Sequence, residues 1–219
     1  MPEHKEIVMF HTQAGDIDCA IDWPESEPRG WALVLHPHPL HGGTRDNKVV
    51  TTLSRACVQH GLVAVRPNFR GVGRSSGEFD KAVGETADMT ELVMQLLQQH
   101  PSWRDQPWVL AGFSFGTAVA AQLYSVLKQA NGAQMAHLPD ALILVGSAVE
   151  RFRFRDITVP DHTVLVHGEA DEVVPLEEAM SFARLHELPV TVIPDASHFF
   201  HGKLVTLKQI VQMRLAALP

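Results

Sequence analysis

From Trp31 onward, short apolar runs alternate with helix-like segments, and this alternation limits the possible folds more than any other feature. Residues 31–35, 62–66, 108–111, 141–145, 163–166 and 190–193 form the apolar runs. Near-continuous runs of this kind suit strands buried on both faces, as a parallel sheet requires. Residues 47–60, 83–99, 115–129, 177–185 and 202–217 read as the intervening helices. Such alternation implies a mostly parallel sheet with helices on both faces. Ahead of it, residues 6–12 and 16–23 flank an Ala14-Gly15 turn and predict an antiparallel hairpin. The total is about eight strands in an α/β fold.

The chain has 219 residues with neither internal repeat nor low-complexity tract. That length suits one domain, so residues 1–219 are expected to form a single α/β unit. Hydrophobic residues make up 45% of the chain, enough for a sizeable core. The formal charge of −7 and the lack of a basic cluster argue against nucleic acid as a partner. Cys19 and Cys57 have neither metal-ligand spacing nor disulfide density, and read as small buried side chains. The polar start, Met1 to Glu6, carries no secretory apolar region. No run approaches the roughly 20 apolar residues that span a bilayer. A cytoplasmic location away from membranes is expected, and the sequence sets no oligomeric state.

The strongest chemical signal is Gly112-Phe113-Ser114-Phe115-Gly116, which follows an apolar strand and opens a helix. A serine on a very tight strand-to-helix turn is pushed out of the end of the sheet, and glycines two positions either side prevent clashes. The new helix aims free N–H groups at the site, so the Phe115 N–H can stabilise an oxyanion. Five residues alone are a weak pattern, and a glycine-flanked turn with an exposed serine is the plain alternative. The rest of the chain provides the test. A serine nucleophile in this setting needs an acid and then a histidine after later strands. Asp171 follows the 163–166 run and heads Asp171-Glu172-Val173-Val174-Pro175, while His198 follows the 190–193 run. Glu169, Glu172 and Asp195 are rivals for the acid, and His201 is the rival for the base. Open α/β sheets place their sites outside the carboxyl ends of the strands, so Ser114, Asp171 and His198 should converge there.

With these residues in place, the chain resembles the α/β-hydrolase superfamily over nearly its whole length. More narrowly, it is similar to a group of short, lidless bacterial serine hydrolases. Their motifs stand here as His36-Pro37-His38-Pro39-Leu40-His41-Gly42-Gly43, Asn68-Phe69-Arg70-Gly71-Val72-Gly73-Arg74-Ser75, Gly112 to Gly116, and His198-Phe199-Phe200-His201-Gly202-Lys203. The resemblance implies the α/β-hydrolase fold, with Ser114, Asp171 and His198 as catalytic residues and no cofactor.

The loop after the 31–35 run should supply a second oxyanion donor. Pro37 and Pro39 lack an N–H, leaving His38, Leu40 or His41, with Leu40 and His38 preferred. His36, His38 and His41 also raise the question of a metal site. The two prolines stiffen the loop between them and no carboxylate stands nearby, so a loop-shaping role is favoured and no metal is expected. Arg70 and its following glycines read as a structural turn, since they lack dinucleotide-binding spacing.

Only 17 residues, 146–162, separate the runs at 141–145 and 163–166, too few for a multi-helix cap. An uncapped site suits small-molecule esters or thioesters better than long acyl chains. Arg151, Arg153 and Arg155 in this connection suggest an anionic substrate or, preferably, a solvated edge. The expected chemistry is acyl transfer to water. Peptide hydrolysis on the same residues and a non-catalytic binding module are the alternatives.

Overall fold

The computed structural model describes residues 4–130 and 138–219, so Met1 to Glu3 of the polar start lie outside the described residues. The hairpin forms from β1 (His4–Thr12) and β2 (Gly15–Trp23), paired from His4 opposite Trp23 to Thr12 opposite Gly15. Gly15 turns the corner at φ 119°, a conformation that side chains rarely allow.

The alternation then runs β3 (Gly30–Leu35), α1 (Lys48–Gln59), β4 (Leu62–Pro67), α2 (Val83–Gln99), β5 (Trp108–Phe113), α3 (Phe115–Gln129) and β6 (Ala141–Val145). It closes with β7 (Val164–Gly168), α4 (Leu176–His186), β8 (Val190–Ile193) and α5 (Leu204–Leu215). These strands form one eight-stranded sheet in the order β1-β2-β4-β3-β5-β6-β7-β8. β2 runs antiparallel to both β1 and β4, and every later pair is parallel.

Alternate residues of the central strands feed two separate cores. Trp31, Leu33, Leu110 and Leu142 pack with α2, α3 and α4, whereas Ala32, Val34, Val109 and Ile143 pack with α1 and α5. This two-sided burial is why those strands read as unbroken apolar runs. β5 extends two residues beyond the apolar run because Gly112 and Phe113 continue the ladder with Leu144 and Val145. A glycine reads as a strand end in sequence because it weakens a strand interior, yet here Gly112 stays in the ladder between Leu35 and Leu144.

From β3 the chain passes through α1 to β4 on one side, then crosses by α2 to β5 on the other. The loops leaving the carboxyl ends of β3 and β5 therefore diverge, which opens a crevice there. His36, just past β3, is fully buried and ties this edge together. Its Nε2 accepts the Phe69 N–H at 2.9 Å, so Nδ1 carries the proton and donates to the Pro37 carbonyl at 2.6 Å. Burial drives the His36 pKa down to about 3, and the Pro37 carbonyl only partly opposes it.

One buried ion pair locks β2 to β4, and a second ties β2 to the loop after β3. Asp22 on β2 meets Arg66 on β4 at 2.7 Å and also accepts the Ser54 hydroxyl at 2.6 Å. Asp18 meets Arg45 at 2.7 Å, and Arg45 also donates to the Asp18 carbonyl. The hairpin pattern hid these pairs, since charges on a two-stranded ribbon usually face solvent.

Two outcomes are expected. Asp22→Ala leaves the buried Arg66 guanidinium with only the exposed Asp46 carboxylate and the Arg45 carbonyl, and should cost about 3 kcal/mol in urea unfolding, more than replacing both partners by apolar residues. Neutral, buried His36 resists a proton that the unfolded chain accepts near pH 6.5, so stability falls as pH drops from there towards 3. His36→Gln should remove about one proton, or up to ~1.4 kcal/mol per pH unit, from that slope.

Candidate active site

The turn between β5 and α3 is too tight for any side chain but the one it displays. A Cβ on Gly112 would lie 2.3 Å from the Gly116 carbonyl oxygen, and one on Gly116 would lie 2.5 Å from that of Leu35. Ser114 between them sits at φ 52°, ψ −120°. Such a backbone costs a non-glycine residue about 1–3 kcal/mol, so surrounding bonds must enforce it. The Ser114 N–H donates to the Val145 carbonyl at 2.9 Å, and its own carbonyl accepts the Thr117 N–H at 2.8 Å and the Thr117 hydroxyl at 2.6 Å.

Displayed this way, Ser114 Oγ lies 3.0 Å from His198 Nε2. His198 Nδ1 lies 2.7 Å from Asp171 Oδ2, which assigns the Nδ1–H tautomer and leaves Nε2 to accept the serine proton. Asp171 Oδ1 accepts the Val173 and Val174 N–H groups at 3.0 and 2.7 Å. Burial would raise the Asp171 pKa, but its bonds to His198 and to these N–H groups outweigh burial and hold it below the ordinary carboxylate value.

The rival residues do different work. Glu169 accepts the Asp195 N–H at 3.0 Å, and Glu172 accepts the His198 N–H at 3.2 Å. Together with the Glu169 N–H to Ile193 and the Ala170 N–H to Ala196, they stitch the loop after β7 to the loop after β8. Asp195 is a turn residue at φ 55°. His201 is exposed, and its nearest polar partner is Ser197 at 3.5 Å. The structure thus brings Ser114, His198 and Asp171 together and leaves Glu169, Glu172, Asp195 and His201 out of that chain.

In the loop after β3, the N–H groups expected as oxyanion donors have different partners. Leu40 N–H donates to His38 Nδ1 at 3.2 Å, and the Leu40 side chain is 69% exposed, so this preferred residue is committed within the turn. His41 and Gly43 N–H groups both go to the His38 carbonyl, at 3.1 and 3.0 Å. Among the described residues, the His38 N–H has no bonding partner. Gly43 permits the fold-back, because a Cβ there would lie 2.2 Å from the Pro37 carbonyl oxygen.

The histidines of this loop do not converge. His36 has both ring nitrogens on backbone partners, while His38 and His41 stack face to face at 4.3 Å. The His38 ring also packs against Phe79, Phe115 and Phe152. Phe152 is drawn inward, while Arg151 pairs with Glu178, Arg153 with Glu150, and Arg155 with Gln129. None of these arginines lines the cleft over Ser114. Arg70 pairs with Asp88 at 2.8 Å and lies over Gly84, in keeping with a structural turn.

That cleft has a volume of about 220 Å³ and is walled by Pro37, His38, His41, Asn47, Val173 and Phe199 beside Ser114 and His198. The connection from β6 to β7 holds one short 3-10 helix, Val149–Arg151, and a turn closed by the Thr163 N–H on the Pro160 carbonyl, with no cap over the cleft. Among the described residues no helix is long and apolar enough to cross a membrane.

Comparison with known proteins agrees with this architecture. The family model described as serine hydrolase (FSH1) matches residues 67–205. A solved α/β serine hydrolase without lid from Xanthomonas campestris is 32% identical at a TM-score of 0.84, covering 97% of this chain and 94% of that one. An α/β serine hydrolase homologue from Coxiella burnetii is 38% identical at a TM-score of 0.79, covering 96% and 97%. An uncharacterized protein of Rickettsia prowazekii is 34% identical over 180 residues, covering 78% of this chain and 72% of that protein. A match over well more than half of the chain, on a sheet that carries no cap, makes this protein a member of the FSH1 serine hydrolase family with a lidless α/β-hydrolase fold.

Proposed function

We propose that the protein hydrolyses small esters or thioesters through a triad of Ser114, His198 and Asp171. The observation that carries this reading is the unbroken chain from Ser114 Oγ through His198 to Asp171, at 3.0 and 2.7 Å. His198 Nε2 takes the Ser114 proton as Oγ attacks the carbonyl carbon. Asp171 fixes the imidazole tautomer and stabilises the imidazolium that forms. His198 then returns the proton to the leaving group, and an acyl-enzyme remains. Water, deprotonated by the same nitrogen, attacks that acyl group, and the acid departs as Ser114 regains its proton.

The developing oxyanion lies at the N-terminus of α3, where the Phe115 N–H donates. His38 provides the second N–H, since Leu40 and His41 have theirs tied into the turn. A cleft of about 220 Å³ open to solvent favours small acyl groups, and Val173 and Phe199 give it a partly apolar wall. The arginines of the β6–β7 connection are occupied by other partners, which leaves no cation arranged for an anionic substrate at this wall.

A fluorophosphonate probe should label the native protein, and Ser114→Ala should take up none; equal labelling of the two would refute the assignment. Across p-nitrophenyl esters of rising chain length, kcat/KM should peak at short acyl chains, and a preference for long chains would contradict the open-cleft reading. His38→Pro keeps the φ of −55° seen at this position while deleting the N–H. It should lower kcat by about 10²–10³, whereas His38→Ala, which keeps the N–H, should lose far less.

A further inference from the structure

His167, the fourth residue of β7, is not used by the proposed chemistry, yet it sits against the acid. The side chain is 1% exposed. Its Nε2 lies 2.8 Å from the Val174 carbonyl and 3.3 Å from Asp171 Oδ2. A carbonyl can only accept, so Nε2 carries the proton and Nδ1 is a lone-pair acceptor. That Nδ1 is buried and has no hydrogen-bond partner. An orphaned buried acceptor costs stability, so a histidine here calls for an account beyond filling space. Burial holds its pKa below the ordinary imidazole value, so the ring is a neutral donor at neutral pH. The charged and titratable groups facing it are Asp171 on its own loop, His198 from the loop after β8 and Glu178 of α4, the last paired with Arg151.

We propose that His167 is a positioning residue for Asp171, holding the carboxylate in line with His198 through the Val174 carbonyl and through its own N–H beside Oδ2. Two links do this. Val174 donates its N–H to Asp171 Oδ1 while its carbonyl is held by His167, so the turn that grips one carboxylate oxygen is itself gripped. The same Nε2–H lies beside Oδ2, the oxygen that receives His198 Nδ1–H, and compensates part of its charge. Without that donor more of the carboxylate charge falls on the imidazolium, which strengthens its hold on the proton.

This inference rests on the triad reading above. His167→Phe keeps the ring volume and removes the donor, His167→Gln restores an N–H at comparable reach, and His167→Asn falls short of it. Hydrolysis of p-nitrophenyl acetate is followed against pH, with fluorophosphonate titration counting competent sites. The Phe and Asn variants should lose about tenfold or more in kcat with KM within about twofold, as for a misplaced catalytic group. Their acidic limb of kcat/KM should move up by about half a pH unit, while the Gln variant stays near wild type. Should the Phe variant not fold, the Asn variant decides. A purely structural role would lower the labelled fraction and leave kcat per site and the limb unmoved, and that result overturns the inference. Wild type that takes up no fluorophosphonate overturns the triad reading and this inference with it; labelled wild type with unmoved variants overturns the inference alone.

Discussion

The first turn of α3 lies so close to the end of β3 that the backbones touch, with Gly116 pressed on the carbonyls of Leu35 and His36. Much else depends on this contact. It lets the chain reverse from β5 into α3 within one residue, and that residue is driven into a backbone conformation it would not adopt freely. The restoring force is supplied from three directions, by Val145 of β6, by Thr117 of α3 and by the missing Cβ atoms of Gly112 and Gly116. Thr117 works twice, since its hydroxyl oxygen also receives the Ala148 N–H and so ties the β6 exit to the same turn. A strained residue placed at the meeting of four elements cannot relax without moving all of them, which gives its side chain a defined direction.

Around that point the loops behave as a second framework laid over the sheet. The loop after β7 and the loop after β8 are joined by backbone bonds and by two glutamates that accept N–H groups across the gap. On the other flank, His36 bonds the loop after β3 to the chain just beyond β4. The segments that carry Asp171 and His198 are therefore tied to each other, facing Ser114 at the end of the sheet.

Much of this was legible in the sequence, for reasons that differ by region. Strands buried on two faces must be apolar throughout, so β3 to β6 announced themselves as runs. The glycines beside Ser114 were legible because their need is local: a turn that tight excludes any Cβ, whatever the rest of the chain does. The long-range partners were not. Asp22 meets Arg66 across 44 positions of sequence, and nothing near either residue signals the other. Leu40 looked as suitable as His38 because both have an N–H; only the fold-back of the His38 ring onto that N–H separates them. His167 reads in sequence as the polar end of an apolar run, and its proximity to Asp171 emerges only when the chain turns through Val174.

The short connection between β6 and β7 has a consequence for the choice of acceptor. A capped hydrolase can expel bulk solvent and hold a chosen alcohol or amine at the acyl group, so that transfer competes with hydrolysis. Here that connection holds only the short 3-10 helix at Val149–Arg151 and a turn closed by the Thr163 N–H on the Pro160 carbonyl, with no multi-helix cap. On the proposed mechanism, water would then be the acceptor in large excess, and an acyl group carried at this crevice would leave as the free acid. Selectivity on that mechanism would fall mainly on the first half of the reaction, in which molecules enter the crevice and acylate Ser114.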